Sequence, residues 1–384
     1  MFREYYLDLH IHIGRTKTGA PVKIAAAPSL TLKNIIEFAR TKKGIDIVGV
    51  IDCHVPAVLA EVEEAIRANE AYEMEGGGIR FHDVTLFLGS EIEINDAKGP
   101  IHVLAYFATL EQMKCFSAWL KERMKNITLS SQRLYETGKN VQKKVRELDG
   151  LFIPAHVFTP FKSLYGKGVE KSLTEIFDPT LIDAIELGLS CDTMMADHVS
   201  ELHDFPFLSN SDAHSLEKIA REYQIVRMKK PSFNEFRLAL KERDGRKIVS
   251  NYGLHPRLGK YYETICENCK RPVSEPICPH CNSEKQIKGV SKRIEELSSR
   301  KKSKRNRPPY YHQIPLEFIP KLGKKTLEKL RAQFGTDMNI IHDTSEEKLA
   351  TVVSPDIAKA IVSARTGEVM IEAGGGGRYG KLSY

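Results

Sequence analysis

The stretch Tyr5–Tyr6–Leu7–Asp8–Leu9–His10–Ile11–His12 is an apolar β-run that ends in two histidines one residue apart. Residues two apart on a strand face the same side, so His10 and His12 can reach one metal ion together from the end of a buried strand. Alone, such a pair is equally consistent with two structural histidines. The constraint comes from recurrence at later strand ends. Asp52–Cys53–His54 follows Ile45–Ile51, Glu91 follows Val84–Gly89, and His102 heads Val103–Phe107. His156 then follows Leu151–Ala155, and Asp212 and His214 stand two apart in Ser209–His214. These nitrogen and oxygen donors suit zinc, manganese or iron. One shared multi-ion site at the mouth of a β/α fold explains them better than eight unrelated core residues.

The chain has 384 residues, 41% of them hydrophobic, enough for a large core and separate modules, so two or three domains are expected. No apolar run approaches membrane-spanning length and Met1–Asp8 lacks signal-peptide character, which predicts a soluble, cytoplasmic, nucleoid-associated protein. Seven cysteines, four of them paired as CxxC, argue against a disulfide scaffold. The formal net charge is +7, and between Lys285 and Arg307 ten Lys or Arg face only Glu295 and Glu296, a local excess that points to a polyanion.

Between the strand ends the pattern is that of βα units. Arg15–Ser29 reads as a loop over the barrel mouth with a substrate role, and Thr31–Thr41 and Pro56–Glu75 as amphipathic helices. Gly76–Gly77–Gly78 lacks the lysine of a phosphate loop and reads as a turn. Asp52 either tunes a ligand or caps a turn, and Cys53 packs in the core. Asn95–Pro100 is a tight return to His102, and Glu111–Lys125 and Gln132–Asp149 are helices, with Trp119 assigned to the core. Val157–Val169 interleaves Phe158, Phe161, Lys162, Tyr165 and Lys167. Such a loop beside a metal centre can stack a base and pair with phosphate, or can serve packing alone.

Past residue 250 the character changes. Cys266–x2–Cys269 and Cys278–x2–Cys281, eight residues apart, suit a closed tetrahedral zinc site of structural type. A basic linker follows, for which phosphate contact is expected. Ile319–Pro320–Lys321–Leu322–Gly323–Lys324–Lys325–Thr326, with Leu327 and Leu330 at helical spacing, resembles a helix-hairpin-helix unit that holds a DNA phosphate on Gly323, Lys324, Lys325 and Thr326. A second copy around Ser354–Pro355–Asp356 looks degenerate, Val369–Ile371 reads as a terminal strand, and the glycine run 374–377 suits either close approach to a ligand or a loose end. The expected division is 1–250 for the catalytic barrel, 251–285 for the zinc module, 286–307 for the linker and 308–384 for the DNA-binding domain.

The order HxH, DxH, GxE, His, His, SDAH resembles the polymerase and histidinol phosphatase (PHP) superfamily. That resemblance implies a distorted (β/α)7 barrel whose ligands are His10, His12, His54, Glu91, His102, His156, Asp212 and His214. Where many members carry a further ligand this chain reads Gly14–Arg15–Thr16–Lys17, which puts a third ion in doubt. Together with the four-cysteine module and the helical C-terminus, the pattern resembles the endonuclease Q family. It implies incision of the phosphodiester 5′ to uracil, hypoxanthine, xanthine or an abasic site, leaving a 3′-hydroxyl and a 5′-phosphate. His10, His12, Glu91 and Asp212 are then the catalytic set holding one ion, with His102 and His156 beside Glu91 on another. The implied cofactors are structural Zn2+ at the cysteines and two or three Zn2+, Mn2+ or Mg2+ in the barrel. Lys162, Tyr165 and Lys167 are the barrel's candidate DNA contacts. The rival readings are a PHP phosphatase for a small phosphate monoester, a structure-selective nuclease, and a non-enzymatic DNA-binding scaffold.

Overall fold

A computed structural model describes the chain except residues 97, 300–302, 304, 367–369, 373, 376, 380 and 384. Seven strands close a barrel: β1 (Arg3–Ile11), β2 (Ile47–Val50), β3 (Val84–Ile94), β4 (Ile101–Phe107), β5 (Leu151–Pro154), β6 (Ile185–Glu186) and β7 (Phe207–Leu208). β1, β2 and β3 pair in parallel. β4 is antiparallel to both β3 and β5 because the short turn after Ile94 returns the chain without a helix. The amide of Asp183 donates to Phe152 and that of Val157 to Glu186, carrying the sheet from β5 to β6, and β6 pairs with β7 in parallel. Closure comes just beyond β7, where His12 N–H donates to the carbonyl of Ala213 (3.1 Å) and Ala213 N–H to that of His10 (3.0 Å). The fold is therefore an α/β barrel distorted by one hairpin. Its strands are buried on both faces and correspondingly rich in Leu, Ile, Val and Phe.

Four helices follow barrel strands: α1 (Leu32–Phe38), α2 (Pro56–Arg67), α3 (Leu110–Lys121) and α4 (Gly138–Glu147). Thr31, Thr109 and Thr137 cap α1, α3 and α4, each accepting the amide three residues on. The helix expected over Pro56–Glu75 stops at Arg67, and Ala71–Glu73 instead pairs antiparallel with Ile79–Phe81. Gly76, Gly77 and Gly78 all take φ near +90°, which forms the turn of that hairpin.

The residues expected to form separate C-terminal modules are stitched to the barrel. The first half of β1 pairs antiparallel with β8 (Tyr223–Met228), β8 with β9 (Lys247–Gly253), and β9 in parallel with β10 (Tyr310–His312). Helix α5 (Lys324–Phe334) starts at Gly323, and a second helix, α6, runs over Pro355–Thr366. Buried Lys43 at the end of the α1 segment pairs with Asp337 at 3.1 Å. Of the terminal strand expected at Val369–Ile371, Val369 lies outside the described residues, while Met370–Glu372 pairs with Lys381–Ser383. Among the described residues no helix is long and apolar enough to cross a membrane.

Glu222, at the head of β8, is fully buried. Its Oε1 accepts from the Leu254 amide (2.9 Å) and its Oε2 has no hydrogen-bond partner. Burial pushes its carboxyl up to about 8. An unfolded Glu ionises near 4.5, so between that pH and about 8 the folded state holds a proton that the unfolded state has released. Stability from this group therefore falls as pH rises through that window, by about 1.4 kcal/mol per unit at most. Glu222→Gln removes the slope: the variant's melting temperature relative to wild type should rise between pH 5 and 8. A constant difference across that range would show that Glu222 ionises normally.

Candidate metal centre

The barrel mouth gathers the strand-end residues into two groups, His10, His12 and Asp212 in one and Glu91, His102 and His156 in the other, with one ligand atom per residue and all atoms of a group within 4.8 Å of one another. Glu91 touches both. Its Oε1 lies 3.5 Å from His10 Nε2, 2.7 Å from His102 Nδ1 and 3.5 Å from His156 Nε2, and its Oε2 lies 3.5 Å from His12 Nε2. Asp212 Oδ1 stands 3.4 and 3.5 Å from the Nε2 atoms of His10 and His12.

The histidine tautomers are set from behind. His10 Nδ1 lies 3.0 Å from Glu186 and His12 Nδ1 3.1 Å from Asp52, so each ring donates there and turns a lone pair on Nε2 toward the centre. Asp52 thus has the tuning role, and it also accepts the Ile13 amide at 2.7 Å. His156 Nδ1 lies 3.2 Å from Thr159 Oγ1. His102 is buried with Nδ1 2.7 Å from Glu91 Oε1 but no well-aligned hydrogen bond at either ring nitrogen, and His10 Nε2 lacks one as well. Such orphaned nitrogens are costly unless something accepts their lone pairs.

The electrostatics make the same demand. Burial alone would raise Glu91, yet His102 and Lys23 hold it well below the usual carboxylate range. Burial opposes the charge on His10, but Glu186 and Asp212 push it well above the ordinary imidazole value. Asp52, Glu91 and Glu186 are all but inaccessible to solvent, against one partly buried lysine, Lys23, at the same place. Donor type, unpaired lone pairs and excess negative charge together fit divalent cations.

Two expected ligands lie outside the two three-residue groups, although His214 Nδ1 is 3.5 Å from Asp212 Oδ1. His54 Nδ1 lies 2.9 Å from Ser90 Oγ, and its Nε2 is buried without a partner. His214 packs its ring 4.6 Å from that of His12, with Nδ1 3.0 Å from the Asp212 carbonyl.

Sequence reasoning missed three contributors. Glu186 looked like part of an ordinary buried strand; a carboxylate inside an apolar run was the available signal. Lys23, from the loop over the mouth, brings Nζ to 3.3 Å from Glu91 Oε2 and 2.6 Å from Ser131 Oγ. Ser131 itself hydrogen-bonds Glu91. No local pattern marks either, because both arrive on irregular segments.

Above the ligands lies a cavity of about 290 Å³ whose rim includes Lys23, Phe161, Lys162, Lys260 and Tyr261. The rings of Phe161 and Tyr261 meet edge to face at 5.6 Å. Lys162 is half-exposed and pairs with Glu93 at 2.9 Å. Tyr165 does not face the cavity. It is buried, its ring stacks on buried Phe158 at 5.1 Å and its hydroxyl donates to Glu201 at 2.7 Å, so it is core rather than a DNA contact. Lys167 is exposed but away from the cavity wall.

The basic stretch is also more structural than expected. Arg293 donates to the carbonyls of Tyr165, Val169 and Glu170, Arg305 to that of Asp204 and to Glu242, and Arg307 to Asp197. Arg307 also lies 3.6 Å over the Phe207 ring. These guanidiniums fasten the segment to the barrel; residues 300–302 and 304 of the linker lie outside the described residues. Gly323, Lys324 and Lys325 are exposed at the start of α5, whose first amides no side chain caps.

The four module cysteines bring their sulfurs within 4.8 Å of one another, with Cys266–Cys281 at 3.5 Å and Cys269–Cys278 at 3.6 Å. A disulfide needs about 2.05 Å. A tetrahedron of thiolates about 2.3 Å from zinc has edges of about 3.8 Å, close to what is seen.

No family model matches the sequence. The uncharacterized protein YqxK of Bacillus subtilis (strain 168) is 57% identical over 384 residues, 99% of each chain. Among solved structures, the lesion-specific endonuclease PfuEndoQ from Pyrococcus furiosus is 33% identical with a TM-score of 0.86, over 99% of this chain and 95% of that one. An Endonuclease Q complex with a 27-mer duplex substrate carrying an abasic lesion at the active site gives the same identity and TM-score over 99% and 96% of the two chains.

Proposed function

This chain belongs to the endonuclease Q family, and from that premise we propose that it incises duplex DNA on the 5′ side of an abasic site or a deaminated base, leaving a 3′-hydroxyl and a 5′-phosphate. The observation that carries the reading is the meeting of two three-residue donor groups at Glu91, under a cavity rimmed by lysines and aromatic rings. A phosphodiester is anionic and has a poor leaving group, and divalent ions supply the Lewis acidity and charge neutralisation its hydrolysis requires.

In this reading His10, His12, Asp212 and Glu91 hold one ion, and Glu91, His102 and His156 a second. Glu186 and Asp52 fix the ring orientations. The ammonium of Lys23, beside Glu91 and Ser131, adds a fixed positive charge among the ligands, which supports two barrel ions rather than three. Lys162 and Lys260 hold the non-bridging phosphate oxygens. Phe161 and Tyr261 offer faces for a nucleotide drawn out of the stack, a step that costs least where a base is missing or mispaired. The four cysteines hold structural zinc, and Gly323, Lys324, Lys325 and Thr326 grip a backbone phosphate away from the lesion. Residues 1–250 form the catalytic unit, 251–285 the zinc module, 286–307 the link and 308–384 a DNA-holding region.

The test uses end-labelled duplexes carrying one uracil, hypoxanthine, abasic site or normal base, incubated with Mn2+ or Mg2+ and mapped at single-nucleotide resolution. A metal-dependent cut immediately 5′ to the altered nucleotide, lost in Asp212→Asn, is expected. Equal cutting of normal duplexes, or hydrolysis of a phosphate monoester with every duplex intact, would overturn the proposal.

A further inference from the structure

The glycine-rich end of the chain lies along the segment that lines the cavity. Gly374 N–H donates to the Arg257 carbonyl (2.6 Å), Glu263 N–H to that of Gly374 (3.3 Å), and Gly377 N–H to that of Lys260 (3.0 Å). Gly375 bridges Glu263 in parallel, and a Cβ there would come within 3.2 Å of Ile265. Close approach is thus what Gly375 permits.

Two residues beyond Gly377, Tyr379 reaches both sides of the catalytic mouth. Its hydroxyl accepts a hydrogen bond from Arg221 Nη1, and Lys260 Nζ sits 4.7 Å from its ring centroid. Arg221 is buried, donating Nε to the Ser211 carbonyl (2.7 Å) and Nη2 to the Asp212 carbonyl (3.2 Å). Asp212 takes φ +46°, in the left-handed region that aspartate tolerates better than most residues, and the backbone there is held by Arg221 through two consecutive carbonyls. Tyr379 takes the remaining Nη1 of this clamp.

We propose that Tyr379 is a positioning residue for the metal centre: through Arg221 it keeps Asp212 Oδ1 facing His10 and His12, and through its ring it holds Lys260 over the cavity. Gly374, Gly375, Gly377 and Tyr379 then act as a strap that finishes the site. The inference rests on the nuclease reading for its catalytic consequence, but its effect on ion binding does not.

The experiment uses full-length Tyr379→Phe and Tyr379→Ala. Mn2+ binding in the absence of DNA is followed by electron paramagnetic resonance, alongside kcat and KM for lesion-bearing duplex. Tyr379→Ala should weaken Mn2+ binding and lower kcat by about 10- to 100-fold, the range found for residues that orient metal ligands from behind. Tyr379→Phe, which keeps the ring over Lys260, should lose part of the Mn2+ affinity and of kcat with KM unchanged. Wild-type Mn2+ affinity and kcat in both variants would overturn the proposal, whether or not the melting temperature falls. So would a rise in KM alone, which would make Tyr379 a DNA contact. A wild-type protein that binds Mn2+ but cuts no lesion would sink the nuclease reading and leave the binding comparison intact.

Discussion

Glu91→Gln is expected to lower incision by about 10³-fold or more, because Lewis-acid stabilisation is worth several kcal/mol and each 1.36 kcal/mol is a factor of ten in rate. The substitution keeps the side chain's volume and its contact with Ser131 but removes the charge shared by both donor groups. The amide cannot replace a carboxylate that faces four histidine nitrogens at 2.7–3.5 Å. Ion content should therefore fall together with rate, which elemental analysis of the purified variant measures directly. Glu93→Gln is the matched comparison: two residues along the same strand, Glu93 pairs with the half-exposed Lys162 and stands 3.8 Å from His102 Nε2, so its loss should cost about 10- to 100-fold with the ions retained. If Glu91→Gln kept its ions and cut within tenfold of wild type, the shared-carboxylate arrangement would be wrong.

What made this centre legible is the period of the β-strand. His10 and His12 declare themselves because a barrel strand delivers its last side chains to one end, and polar residues there break an otherwise apolar run; Asp212 lies beyond its strand at a left-handed position, so its spacing from His214 is not that of a strand. Glu186 breaks an apolar run in the same way, yet with a single carboxylate the break has no second member to confirm it. The loop contributors fall outside this logic. Phe158, Phe161, Lys162 and Tyr165 form one aromatic and basic string in sequence, but the backbone turns Phe158 and Tyr165 into the core and leaves Phe161 and Lys162 at the cavity. Composition cannot separate those two faces; only the packing of Phe158 on Tyr165 does. Likewise the arginines after Val290 read as a polyanion site because their partners, the carbonyls and carboxylates of the barrel, lie about a hundred residues away in sequence. Arg221 and Tyr379 are 158 residues apart, beyond any local pattern.

The four-cysteine module should respond to mutation in a way that separates it from the barrel. Cys278→Ser is expected to unfold residues 265–287 locally, since the module's own secondary structure is one pairing of two-residue strands, Ile265–Cys266 with Gln286–Ile287. An isolated pair that short has no independent stability. Its apolar interior is equally slight: Ile265, Cys266 and Cys278 are buried, while Ile277 is half-exposed. With zinc held as proposed, thiolate coordination, worth about 10–16 kcal/mol in comparable zinc modules, would be the main term holding it together, and a hydroxyl in place of one thiolate would remove most of that. Zinc should drop by one ion per chain, and amide hydrogen exchange should rise across 265–287 while β1 to β5 keep their protection. The loss should reach the cavity wall as well, because Val290 N–H donates to the Tyr261 carbonyl and the Gly289 amide to Thr264 Oγ1, tying the module's exit to the segment carrying Lys260 and Tyr261. Incision by Cys278→Ser should accordingly show a raised KM for duplex with the barrel's ions retained. Unchanged zinc content and exchange would show that the module is held by packing, and the cysteine cluster would need another explanation.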